Sequence, residues 1–268
     1  MITQPGRSPA LSFGSPFQVW LDRLLPLLGV VLLFVAWWFI AVSGWVNPVL
    51  LPTPFATLSQ LVSATLSGSM PVDFGATILR TFQAFVMAAV IGVPLGVALG
   101  SSERVYRSVE FLIDFFRSTP ASALIPMFIL FFGVTDGSKV IIAGFSALLV
   151  VLFNSAYGVI NAKRSRILAA KVMGANQWQT FKDVLLWESM PQTFIGLRSG
   201  ISIALVIVIV AEMFIGTEHG LGKRIIDAQQ VLNVRDMYAS ILLTGILGYL
   251  LNMLFLMFEK RFIHWSGK

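Results

Sequence analysis

NAKRSRILAAKVMGANQWQTFKDVLLWESMPQT, residues 161–193, is a basic, partly apolar segment set between two long apolar runs, 139–160 and 194–216. Each run is near the roughly 20 apolar residues that a helix needs to cross a hydrocarbon core. The segment between them is therefore read as a loop joining two membrane spans, and its own pattern is ordered. Ser165 is a good N-cap, because its hydroxyl can accept from an orphan amide of the first turn. Ile167, Leu168, Ala169 and Ala170 favour helix, and Gly174 can take the left-handed conformation that ends one. A short helix is predicted over 166–173. Asn176 then caps a second helix, with Gln179 completing a capping box. Trp178, Phe181, Val184 and Leu185 share one apolar face, so this second helix is expected to lie along the membrane surface or against its own bundle.

Working outward, six spans are predicted: 24–43, 77–100, 121–134, 139–160, 194–216 and 238–258. Pro94 falls in the second, and Pro120 and Pro126 mark the third. Within a bundle such prolines either kink packed helices or punctuate them. Hydrophobic residues are 56% of the 268-residue chain and charged residues 12%, against about 25% charged in soluble domains. That excess of apolar surface excludes a soluble fold. The run 24–42 is longer than a signal-peptide core and carries Trp37 and Trp38, so it is expected to be retained, despite a weak cleavage-like Ala41-Val42-Ser43.

Lys and Arg concentrate in segments 1–23, 101–120, 161–193 and 259–268. The opposite segments hold Lys139 at a border, then Lys223, Arg224 and Arg235, and 44–76 holds none. The positive-inside bias places both termini in the cytoplasm. The expected architecture is all-α: a polytopic bundle of about six transmembrane helices. Its domain spans 24–262 and carries the loop 161–193, between a cytoplasmic N-terminal tail, 1–23, and a C-terminal tail, 263–268. The net charge of +6 is explained by orientation in the lipid bilayer, not by nucleic acid.

Enzyme chemistry finds little support. Cysteine is absent, and the two histidines, His219 and His264, lie outside the predicted spans. No Gly-rich Walker-type phosphate loop occurs, so ATP is not bound by that route. Ionisable residues within spans are suspects for function. Glu212 is either a pathway or gate residue or a carboxylate bonded to a neighbouring helix, and its charge argues against contact with an anion. Arg80 and Arg198 would suit an anion, although each lies near a membrane face where Arg snorkels. Asn154, Ser155 and Tyr157 form a polar cluster that lines a path or joins helices.

The helix–glycine–helix elbow is a docking feature for a cytoplasmic partner or an amphipathic connector. It resembles the cytoplasmic loop of ABC importer permeases, in which Glu-Ala-Ala is followed after three residues by Gly and later by Ile-x-Leu-Pro. Ala169-Ala170, Gly174 and Val184-Leu185-Leu186 fit. Leu168 stands where Glu is usual and Trp187 where the first Pro is usual, while Pro191 matches a second proline. Leu51-Pro52-Thr53-Pro54, Gly92-Val93-Pro94-Leu95-Gly96, Arg117-Ser118-Thr119-Pro120, Pro126, Phe132-Gly133, Gly196-Leu197-Arg198, Ala211-Glu212-Met213 and Gly220-Leu221-Gly222 extend the likeness over about residues 45–262. The branch it resembles most handles nitrate, sulfonates and taurine.

The resemblance implies a type I importer permease fold in a bacterial inner membrane, forming the path for a small anion without being an enzyme. Ser165, Leu168, Ala169, Ala170, Lys171, Gly174 and Ala175 would form the coupling helix against an ATPase. Arg80, Asn154, Tyr157, Arg198 and Glu212 are the pathway candidates. The implied partners are a pair of cytoplasmic ATP-binding subunits, a second permease copy as a homodimer, and an extracytoplasmic solute-binding protein. No cofactor is expected in this chain, and ATP and magnesium belong to the ATPase. The alternative is a secondary transporter or channel independent of ATP.

Overall fold

A computed structural model describes residues 16–263, with side chains from 25 onward except that of Pro26. The predicted tails therefore lie largely outside the described residues. The chain falls into two compact units, Met1–Thr57 and Leu58–Lys268. The first holds α1 (Pro16–Val42) and the start of α2 (Pro54–Leu66). α1 begins well ahead of the predicted boundary at 24, because Pro16 suits the first helical position, where a missing N–H costs nothing. Trp37 Nε1 donates to the Pro52 carbonyl at 3.1 Å, tying α1 to the following Leu-Pro turn.

The second unit runs α3 (Ser69–Gly100), α4 (Glu103–Ser118), a 3₁₀ turn (Ala121–Leu124), α5 (Ile125–Phe132), α6 (Asp136–Ile160), α7 (Arg164–Val172), α8 (Gln177–Thr180), a π-helical turn (Phe181–Leu185), α9 (Leu186–Ile215), α10 (Leu221–Gln230) and α11 (Val234–Phe262). Among the described residues every regular element is helical. α3, α6, the continuous run Gln177–Ile215 and α11 are long and apolar enough to cross a membrane, and the bent pair α4–α5 makes a fifth if counted as one span. The described apolar part of α1, Leu27–Val42, is shorter.

α6 is the central helix. Just over half of its most apolar stretch is buried, against 6% for α11. It packs against α3 and α9 through a core of Ala84, Ala88, Ile142, Ala143, Ala147, Val151, Ala204, Val208 and Ala211. Small residues let helices approach closely, where dispersion and weak polar contacts can act without a hydrophobic drive. Gly92, Gly96 and Gly100 repeat every four residues on α3 and meet the α6 backbone at Leu148, Leu152 and Ala156, so that a Cβ at Gly100 would sit 2.6 Å from the Ala156 carbonyl.

The structure corrects the third predicted span. Residues 103–118, read as loop, form the amphipathic helix α4. The chain then turns by 90° at Thr119-Pro120, and the apolar part that follows is a short 3₁₀ turn plus the eight-residue α5. The cause is local: Pro120 cannot donate an amide, and the residue before proline is driven extended, as Thr119 is with φ −77° and ψ 123°. Pro126 sits in the first turn of α5, where it is tolerated, whereas Pro94 and Pro191 lie inside helices.

Candidate functional site

Two assemblies of polar or exposed residues stand out at opposite ends of α9. The first is the elbow at residues 163–188. α7 spans Arg164–Val172, and its N-cap is Lys163, with no side-chain cap. Ser165 therefore lies inside the first turn, one correction to the sequence reading: the helix starts earlier because Lys163 already takes extended φ/ψ. At the other end Ala175 N–H donates to the Ala170 carbonyl and Gly174 N–H to that of Lys171, both at 3.0 Å. This is a Schellman stop, which needs the φ of +86° that Gly174 adopts. Asn176 and Gln179 then form the reciprocal capping box, each bond 2.8 Å.

The second helix is not a separate surface element. It runs through a π-helical turn straight into the span of α9. An ion pair between Arg166 of α7 and Glu188 of α9 joins the elbow to that span. α7 buries none of its residues. Leu168, Val172 and Met173 are 61%, 89% and 86% exposed, respectively, with Ala169 and Lys171 also open and Ala170 and Ala175 half-buried. The elbow is thus a rigidly capped, outward-facing apolar tip.

The second assembly is where α9 meets α10. Glu212 is 1% exposed. It accepts from Arg80 Nη1 at 2.7 Å, from Thr77 Oγ1 at 2.9 Å and from the Gly222 amide at 2.9 Å. Arg80 also donates to the His219 carbonyl and to Thr217 Oγ1, and pairs with Asp136 at 3.0 Å, which pairs in turn with Lys139 at 2.8 Å. Next to it Arg224 bridges Asp73 at 3.1 Å and Asp236 at 2.8 Å, and Asp73 accepts from the Gly220 amide. Burial works against the charged form of Arg224, yet the carboxylates of Asp236 and Asp73 outweigh it and hold its pKa above the ordinary arginine value. Buried charges persist only when paired and hydrogen-bonded. This network therefore fastens α3, α6, α9, α10 and α11 together.

Arg80 and Glu212 are brought together, and neither stands free toward a path. The other pathway candidates lie elsewhere. Asn154 accepts from Gln192 at 2.9 Å and abuts Gly196, joining α6 to α9. Ser155 is fully buried against Gly96. Tyr157 is exposed and stacks on Phe153. Arg198 is half-exposed and reaches Glu259 of α11 at 3.4 Å. Asp73, Thr77 and Asp136 were missed from sequence. The signal was helical spacing: Asp73, Thr77 and Arg80 lie four and three apart on one face of α3, and Asp136 lies three before Lys139 on α6.

Residues 92–264 match the family model described as "Binding-protein-dependent transport system inner membrane component". The chain is 26% identical to the taurine transport system permease protein TauC of Escherichia coli strain K12, covering 89% of this chain and 88% of that one. It is 25% identical to the nitrate import permease protein NrtB of Synechocystis sp., covering 85% and 84%. Among solved structures, one described as an inward-facing conformation of the MetNI methionine ABC transporter superposes with a TM-score of 0.66 at 21% identity, covering 74% of this chain and 97% of that one. That likeness bears on the fold alone.

Proposed function

Because the chain belongs to the family of binding-protein-dependent transport system inner membrane components, and is thus a multi-pass transport subunit and not an enzyme, we propose that it forms the translocation path for a small oxyanion-bearing solute such as nitrate, an alkanesulfonate or the zwitterionic sulfonate taurine. Family membership implies an ATPase partner and a binding protein in general. The finer reading is a pair of ATP-binding subunits on the side of α7, both termini on that same cytoplasmic side, and two copies of this permease. ATP and magnesium act on the partner.

The observation that carries this reading is the α7 elbow. A short helix that buries nothing, whose tip exposes Leu168, Val172 and Met173 and whose C-terminal end is locked by a Schellman stop running into the capping box of the next helix, has the form of a plug for a groove. The Arg166–Glu188 pair and the unbroken run into α9 give a displaced α7 a lever on a span. Leu168, at the position where the resembled loop pattern has Glu, is 61% exposed and favours an apolar groove wall. Taurine and nitrate, named in the descriptions of the relatives, share an oxyanion group and support that class of solute. The buried charges Arg80 and Glu212 are paired with each other, and Arg80 with Asp136 as well, so substrate discrimination falls to other residues and to the binding protein.

The test is co-expression with candidate ATPases, followed by hydrolysis in liposomes with and without a loaded binding protein. A complex of equal stoichiometry whose hydrolysis rises with taurine- or nitrate-loaded binding protein supports the reading. Uptake driven by an ion gradient through the permease alone replaces it with a secondary transporter.

A further inference from the structure

The 90° break after α4 lies beside the middle of the bundle. Ser146 is ten residues into α6, about 15 Å along it at 1.5 Å per residue, half of a hydrocarbon core of about 30 Å. At that depth a cavity of about 420 Å³ opens between the end of α4, the bend, α6 and α9, lined by Asp114, Arg117, Ser118, Phe145, Ser146 and Ile203 among others. The size suits a small solute.

Its cation is Arg117. The guanidinium carbon lies 3.8 Å over the Phe153 ring, which holds its face and leaves its N–H edges directed outward. Nη1 donates to Asp114 at 3.3 Å, long for a charge-assisted bond of about 2.7–2.9 Å. About a third of the side chain is exposed. The pair is loose and open, the Asp114 side chain being 57% exposed, so a solute entering the cavity can reach the guanidinium. Unlike Arg80, which is enclosed by Glu212, Asp136, Thr217 and His219, Arg117 has donors to offer.

We infer that Arg117 is the recognition cation of an anion subsite in this cavity, taking a small oxyanion such as a sulfonate or nitrate that displaces Asp114 from Nη1, with the Ser118 hydroxyl as a further donor. The inference rests on the importer reading and names the site within it. Ser118 and Arg117 leave α4 immediately before the break, so the 90° turn is what brings them beside Ser146.

The chain contains no cysteine, which gives a direct test. Ser118→Cys in the full chain, reconstituted in lipid, is labelled with a sulfonate-bearing or a trimethylammonium-bearing methanethiosulfonate. The expected result is an anionic reagent favoured about tenfold or more over the cationic one, after correction for their rates with a free thiol, because a nearby guanidinium attracts the one and repels the other. Millimolar taurine or nitrate slows both reagents. Arg117→Gln abolishes the preference and the protection, and Arg117→Lys keeps the preference. Equal rates, an unreactive thiol, a preference that survives Arg117→Gln, or absence of protection by either anion overturns the subsite. Protection needs no substitution at Arg117, so misfolding of that variant does not blunt the test. Failure of the importer reading shows separately, as absence of an ATPase complex.

Discussion

Arg80 of α3 and Glu212 of α9, 132 residues apart in the chain, meet through Nη1 and Oε1 at 2.7 Å with both side chains almost wholly enclosed. Removing one partner of such a pair leaves an uncompensated buried charge, at a cost of about 3–5 kcal/mol. The two partners are not equivalent. Arg80 retains Asp136 at 3.0 Å if Glu212 is lost, whereas Glu212 without Arg80 has only Thr77 and the Gly222 amide. Arg80→Gln is expected to lower the thermal midpoint of the purified protein more than Glu212→Gln does. A wild-type midpoint in Arg80→Gln counts against the network as a fastening.

Close glycine packing makes a sharper prediction on α3. A side chain at Gly96 would drive into the Leu152 carbonyl and the Ser155 Cβ of α6, and these are backbone and short side chain that cannot swing aside. Gly96→Leu should cost more than the about 1–3 kcal/mol of ordinary overpacking and reduce the yield of monodisperse protein. Gly245→Ala, with nothing within 4 Å, is the control and should be neutral or gain slightly from helix propensity. Equal yields from the two would remove close α3–α6 contact as a source of stability.

What was legible in the sequence was what is local. The Gly174 stop, the Asn176–Gln179 box and four of the long apolar spans each depend on neighbours within a turn or two, or on length alone. Ser165 misled because Lys163 could take the cap conformation without a capping side chain. The third span misled because 103–118 was weighed by its basic residues and not by their spacing: Glu103, Arg107, Glu110, Asp114 and Arg117 recur at intervals of three and four, the mark of an amphipathic helix. Arg80 and Glu212 were each visible as a membrane charge, but their pairing is a fact of tertiary packing that no local pattern carries.

Arg224 bridges Asp73 on α3 and Asp236 on α11 with two different nitrogens. Lys offers one point charge and no fork. Arg224→Lys should therefore lose one of the two bonds and fall between wild type and Arg224→Gln in thermal midpoint. The folded-state pKa of Arg224 is raised, so its contribution is fully present below the ordinary arginine value and is lost only as pH rises through the higher folded one. The gap between wild type and Arg224→Gln should then not shrink on the alkaline side, from about pH 7 to about pH 10. A gap that closes over that interval would show that Arg224 is not the group responsible.

Gly174 separates two ways in which the elbow could fail. A Cβ there meets nothing within 4 Å, so bulk alone creates no clash inside the chain, but the φ of +86° strains any L side chain. That strain is about 1–2 kcal/mol for most residues and less for Asn. Gly174→Val should loosen the Schellman stop, and Gly174→Asn should largely preserve it. If α7 docks in an ATPase groove through its shape, Gly174→Val in the assembled complex should keep basal ATP hydrolysis while losing most of its stimulation by loaded binding protein, and Gly174→Asn should retain the greater part. Equal coupling in wild type and Gly174→Val would mean that the stop is not what positions α7. Equal loss in both variants would mean that the groove reads the bare glycine surface, a contact with the partner and not the backbone conformation.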